Sequence, residues 1–233
     1  MKIGLMQPYL FPYLGYFQLI NAVDEFVIHN DIQFIKNGWI NRNRVLVNGE
    51  AQYITMPLKK ASSYANINER EFSDDMPKQV KTILRKIENL YRRAPHFEEA
   101  FAAVSKAMSS EDRNVNEFVV HSIKCICEYL GITTPISQTS DMDIPEGLKG
   151  QDRVLNINKQ LSSTHYINPI GGTELYDKAV FAENGMELSF IKMNDVVYSQ
   201  FKNEFVPALS IVDVMMFNSK EEIKNLLEEY TLV

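Results

Sequence analysis

Residues 2–30 constrain the fold more than anything that follows. KIGLMQ is an apolar run of strand length, GYFQLINAVD sets Phe17, Leu19, Ile20 and Val23 on a short helix, and EFVIHN is a second apolar run. Strand, short loop, helix and strand in that order form a βαβ unit, with parallel pairing and a right-handed crossover. The chain is therefore expected to be α/β, with a Rossmann-like, mostly parallel sheet. The connection after the first strand is itself unusual: from Gln7 to Gly15 it reads QPYLFPYLG, with two prolines and no charge.

Beyond this unit, DIQFIKNGWINRN is long, polar and irregular. RVLV and AQYITMPL then flank Asn48-Gly49, a strong hairpin signal. Helical spacing runs through Met76, Val80, Ile83, Ile87, Leu90 and Tyr91 to a stop near Pro95. It resumes in FEEAFAAVSKAM, and again from about Val115 to Leu130 with Gly131 as C-cap. Alternation then returns: TPISQTSD as strand, DRVLNINKQL as helix, HYINPI as strand, TELYDKAVFAENG as helix closing on Gly185, and MELSFIKM as strand. The C-terminus reads as helical, with a capping box at Ser219 and Glu222, and with Ser210 and Asp213 as caps of a preceding helix. The expectation is one α/β domain over residues 1–233 with a helical insertion at about 75–130.

Composition narrows the function. A formal net charge of −6 disfavours nucleic acid as a partner, although a local basic pocket stays open. No apolar run is long enough to span a bilayer, and no secretory signal is read. The two cysteines, Cys125 and Cys127, fall on opposite faces of a helix and read as reduced thiols. These features point to a cytoplasmic protein acting on a small molecule.

Ligands of open α/β sheets bind beyond the carboxyl ends of the parallel strands, so the residues after each strand form the candidate site. These are Gln7, Pro8, Tyr9, Tyr13, Gly15 and Tyr16 after the first, and His29 and Asp31 after the second. Ser137 closes the later strand, and Asn168, Gly171 and Gly172 follow HYINPI. Lys36, Trp39, Asn41, Arg42, Asn43 and Arg44 come from NGWINRNR and its approach. Arg takes phosphate bidentately and Trp offers a stacking face, so this stretch suits a phosphorylated ligand. A solvated face before a hairpin, with Trp39 in the core, is the competing reading. His29 beside Asp31 has the form of an acid–base pair, or of a structural histidine; His29, Asp31 and Lys36 are the catalytic candidates. Gly171-Gly172 is expected to present backbone N–H groups at the start of a helix beginning near Thr173. No histidine or cysteine pair has metal-ligand spacing, and no metal site is expected.

The combination QPYLFPYLGYFQLINAVDEFVIHNDIQFIKNGWINRNRVL, YINPIGGTELYD and ALSIVDVMM resembles the WbqC-like family over nearly the whole chain. Members of that family occur in bacteria, often in gene clusters for O-antigen and other surface polysaccharides. The resemblance implies a cytoplasmic role in making or decorating a sugar precursor. A more distant similarity joins MQPYLFPYLGYFQLI to the HIGH-type nucleotidylyltransferase-like fold, with Tyr13 and Tyr16 where that fold carries histidines. Tyrosine donates a hydrogen bond but no positive charge at neutral pH. No lysine-rich signature loop of that fold is read. The implied activity is transfer from a nucleotide-activated sugar or an acyl or aminoacyl donor. The implied cofactor is a nucleotide, ATP or nucleotide-sugar, with a divalent cation. The alternative is a non-catalytic nucleotide- or sugar-binding module.

Overall fold

In the computed structural model, which describes residues 1–202 and 204–233, strand β1 (Lys2–Met6) lies parallel to β2 (Glu25–Ile28). Ile3 stands opposite Glu25 and Met6 opposite Ile28. Helix α1 (Leu14–Ala22) makes the crossover and packs so closely that a Cβ on Gly4 would lie 3.1 Å from Leu19. The polar stretch after β2 has little regular structure, and β3 (Arg42–Val47) and β4 (Glu50–Thr55) then form the antiparallel hairpin. Asn48 and Gly49 both take positive φ, at 52° and 83°, as a tight two-residue turn requires.

Three helices follow: α2 (Met76–Tyr91), α3 (Phe97–Ala107) and α4 (Val115–Leu130). Asn114 caps α4 at its start and Gly131 at its end, where φ is 73°. The parallel sheet resumes with β5 (Ile136–Gln138), helix α5 (Gly150–Gln160), β6 (His165–Pro169), helix α6 (Lys178–Glu183) and β7 (Glu187–Met193). Helices α7 (Ile211–Phe217) and α8 (Lys220–Leu226) precede a last strand, β8 (Tyr230–Leu232). The six-stranded sheet has the order β5-β2-β1-β6-β7-β8, parallel except for β8. Five parallel strands with β1 central make a Rossmann-like α/β sheet, and its topological switch point lies between β1 and β6.

Side chains alternate across the sheet and build a core on each face. Phe26, Ile28 and Ile167 join α1, the α2–α4 cluster and α7 on one side. Val27, Tyr166 and Leu188 join α5 and α6 on the other. Each fully buried aliphatic or aromatic side chain contributes roughly 1.5–3 kcal/mol.

Three local expectations are corrected. The helix expected near Thr173 begins at Lys178, because the Asp177 side chain accepts from the Ala179 N–H and caps it there. Gly171 and Gly172 sit in a 3-10 turn instead (Ile170–Gly172). The chain ends in β8 rather than in helix. Ser210 caps α7 as expected, but Asp213 caps nothing: its buried carboxylate accepts from the hydroxyls of Tyr91 and Tyr198 and from the Gln200 amide.

Candidate functional site

The connection at residues 7–13 is short and fixed. Pro8 and Pro12 restrict φ, and buried Phe11 takes a left-handed φ of 44°, costing about 1–3 kcal/mol for a non-glycine residue. Neighbouring segments hold it there. Leu10 N–H donates to the Trp39 carbonyl at 3.0 Å, and Ile211 N–H to the Pro12 carbonyl at 2.8 Å. The Asn43 amide donates to Leu10 O at 3.0 Å and Phe11 O at 2.8 Å, and Ser210 Oγ donates to Phe11 O at 2.8 Å. At the helix start, a Cβ on Gly15 would lie 2.5 Å from the Tyr13 ring, so only glycine lets that ring lie on α1. Tyr16 is buried, and its hydroxyl donates to the Gln7 carbonyl at 2.9 Å.

This fixed loop forms one wall of an aromatic cleft of about 200 Å³, with Tyr9, Tyr13, Trp39, Asn43 and Arg44 in its lining. Burial raises the pKa of Tyr9 and of Tyr13, so both present neutral hydroxyls. Arg44 donates to the Ala208 carbonyl at 3.0 Å and lies 5.5 Å from the Trp39 ring. Asn43 is spent on the loop.

Across the same stretch lies a larger, basic cleft of about 620 Å³. Lys36, Arg42, Lys59, Lys60 and Arg70 line it with Asn41, and no Asp or Glu does so among the described residues. Arg42 donates to the carbonyls of Gly38 and Asn37 and lies 4.4 Å from the Tyr53 ring. Asn41 donates to the Met56 carbonyl at 2.8 Å. The Tyr53 and Trp39 rings lie 6.1 Å apart, so Arg42, Tyr53, Trp39 and Arg44 form a continuous run of contacts, two rings between two cations. The strand period of two puts Arg42 and Arg44 on one face of β3, and that face carries both clefts.

His29 and Asp31 sit elsewhere, at the carboxyl ends of β2 and β5. Arg153, near the start of α5, donates to His29 Nε2 at 3.1 Å and to Asp31 at 2.5 Å, and Thr139 Oγ1 also donates to Asp31. Burial, reinforced by the Arg153 charge and opposed by Asp31, pushes His29 down to about 4. For Asp31, burial pulls upward. The hydrogen bonds from Thr139 and Arg153 and the nearby positive charges outweigh it and hold the carboxyl below its ordinary value. His29 is thus a neutral acceptor and Asp31 a carboxylate, and neither lines the basic cleft. Arg153 is a residue the sequence reading passed over, though a cation in the first turn of a helix opposes the macrodipole and so carries a signal.

The remaining candidates are dispersed. Ser137 donates to Glu25 at 2.5 Å. Asn168 accepts from Tyr166 and donates to the Pro169 carbonyl, and a Cβ on Gly172 would lie 1.9 Å from its amide nitrogen. Gly172 therefore serves close packing of Asn168, while Gly171 is exposed. Among the described residues, no group of three or more His, Cys, Asp or Glu side chains is placed to hold a metal ion. The basic cleft suits the phosphates of a nucleotide, and a divalent cation there would rely on those phosphates for its ligands. No described helix is long and apolar enough to cross a membrane.

The sequence model of the WbqC-like protein family matches residues 7–225, a span that contains the loop and both clefts. The uncharacterized protein Rv1507c of Mycobacterium tuberculosis (strain ATCC 25618 / H37Rv) is 31% identical over 230 residues, covering 97% of each chain. No solved structure matches the chain. With the family pattern running through nearly every element described above, the chain belongs to the WbqC-like protein family.

Proposed function

We propose that this protein is a cytoplasmic transferase that draws on a phosphorylated, activated donor, a nucleotide-sugar or an acyl or aminoacyl donor, for bacterial surface-polysaccharide synthesis. The observation that carries this reading is the basic cleft, in which Lys36, Arg42 and Lys60 face one hollow without a lining carboxylate. Transfer from a phosphorylated donor needs chiefly positioning and stabilisation of charge, which fixed cations supply. With a net charge of −6, the cleft is a local basic feature that suits a small anion better than nucleic acid.

Lys36 is exposed at the cleft and makes no ion pair among the described residues, so it tests binding without disturbing the fold. Lys36→Ala is expected to raise the Kd for a nucleotide-sugar roughly tenfold, as befits loss of one charge-assisted contact, with an unchanged thermal midpoint. Unaltered affinity by calorimetry would remove the cleft from the function. A non-catalytic binding module is the second reading. The engagement of His29 and Asp31 by Arg153, outside the basic cleft, favours it. Mass spectrometry of bound donors after incubation separates the two: a new product supports the transferase, unchanged donor the module.

A further inference from the structure

Arg70 is a buried charge without a counter-ion among the described residues. It is 9% exposed and lines the basic cleft together with the exposed Lys59 and Lys60 and with Phe34. Its guanidinium lies 4.9 Å from the Phe34 ring, and Nη1 donates to the Ser62 carbonyl at 3.1 Å. Its Nε is buried with no hydrogen-bond partner, Nη2 makes no hydrogen bond and is the donor left to meet a ligand, and no carboxylate among the described residues lies within ion-pair distance. Glu71, the next residue, is paired with Lys59 at 2.9 Å. A buried cation with an unpaired donor and no counter-charge is costly, and an anion entering the cleft would supply the missing charge.

From this we infer that Arg70 is the anchor of an anion site at the inner end of the basic cleft, and that the site takes a terminal phosphate group. The inference rests on the reading of this cleft as a donor site and narrows it: among the donors proposed it favours one with a terminal phosphate, such as an acyl phosphate, over a nucleotide-sugar. The cations are graded: Lys36, Lys59 and Lys60 are exposed, Arg42 is half-buried and Arg70 is buried. A group that reaches the buried end enters end-on, so it sits at an extremity of its molecule. A phosphomonoester fits that description, with two negative charges and three free oxygens. The bridging diphosphate of a nucleotide-sugar carries a bulky substituent on each side and cannot lead with its phosphate. Arg42 and Lys36 then meet the same phosphate or the first atoms behind it.

The experiment is a thermal-midpoint titration of the full chain at fixed ionic strength, with inorganic phosphate, glucose 1-phosphate and UDP-glucose as probes. Phosphate and glucose 1-phosphate are expected to raise the midpoint saturably, by roughly 5 °C at a hundredfold excess over Kd, and UDP-glucose by less. Arg70→Met should lose this shift while its anion-free midpoint is no lower than wild type, because the substitution removes an uncompensated buried charge. Arg70→Lys, which keeps the charge and loses the fork, should weaken phosphate binding about tenfold. A lowered anion-free midpoint with the phosphate shift intact in Arg70→Met would make Arg70 structural and overturn the inference. A shift with UDP-glucose alone would overturn the terminal-phosphate assignment and leave the donor reading standing. No shift with any probe would remove both.

Discussion

Burial and the Arg153 guanidinium push the His29 imidazole from 6.5 to about 4, which ties stability to pH through a single side chain. Between those values the unfolded chain takes up a proton that the fold refuses. Stability is therefore unaffected by His29 above 6.5, falls as pH drops from 6.5 towards 4, and levels off below. The full effect is about 3 kcal/mol. Asp31 is depressed, so its contribution is lost only at still lower pH, as pH falls through its folded value. Asp213 acts in the opposite sense. Burial raises its carboxyl against the hydrogen bonds it accepts, so its protonation on acidification favours the fold. Glutamine at position 29 can still accept from Arg153 without titrating. Urea unfolding of wild type and His29→Gln from pH 8 to pH 4 is expected to give converging stabilities at high pH and a loss on acidification that is steeper in wild type. Parallel curves would mean that His29 is already accessible to protons in the native state.

At the scale of the element, the loop at residues 7–13 depends on a strand remote from it in sequence. Asn43, 4% exposed, uses its amide on the carbonyls of Leu10 and Phe11 and its Oδ1 on the Arg44 N–H. Asn43→Ala leaves those groups short of partners and is expected to cost about 2–3 kcal/mol in urea unfolding. Asn43→Asp should cost more, since a carboxylate would then face two carbonyl oxygens. A change within about 0.5 kcal/mol for both would show that the loop keeps its shape without the latch. The latch was not legible in the sequence, where Asn43, between two arginines, is expected to orient polar groups of a ligand. The βαβ unit and the Asn48-Gly49 hairpin were legible, because periodicity and turn chemistry are local signals. The start of α6 was not: TELYD holds several residues able to precede a helix, and Asp177, which caps α6, is also held from outside by its N–H donating to Gln151 Oε1 at 2.6 Å. Arg70 was invisible for another reason. It stands between Glu69 and Glu71 in sequence, yet Glu69 turns back to accept from the Asn66 N–H and Glu71 pairs with Lys59.

For the whole molecule, the order of strands leaves β5 and β8 as the two edges of the main sheet, and each is three residues long. Edge strands this short present few unpaired backbone groups to another chain, which limits edge-to-edge association. The cover at the β8 side is thin but specific: Ile191 stands opposite Leu232, and Phe190 and Val233 exchange two hydrogen bonds of 2.8 and 3.0 Å. Its neighbour in the sheet is β7, seven residues long, with Leu188, Phe190 and Ile191 buried. Deleting residues 230–233 would expose part of that strand as an open edge. The fold should survive, because the Gln18 amide still reaches the carbonyls of Leu226 and Glu229 and keeps α8 docked on α1. The truncated chain is therefore expected to retain its far-ultraviolet circular dichroism but to self-associate with rising concentration in sedimentation velocity, more than the full chain does. An oligomeric distribution identical to that of the full chain would show that β8 does not protect the edge, and that the side chains of β7 do so unaided.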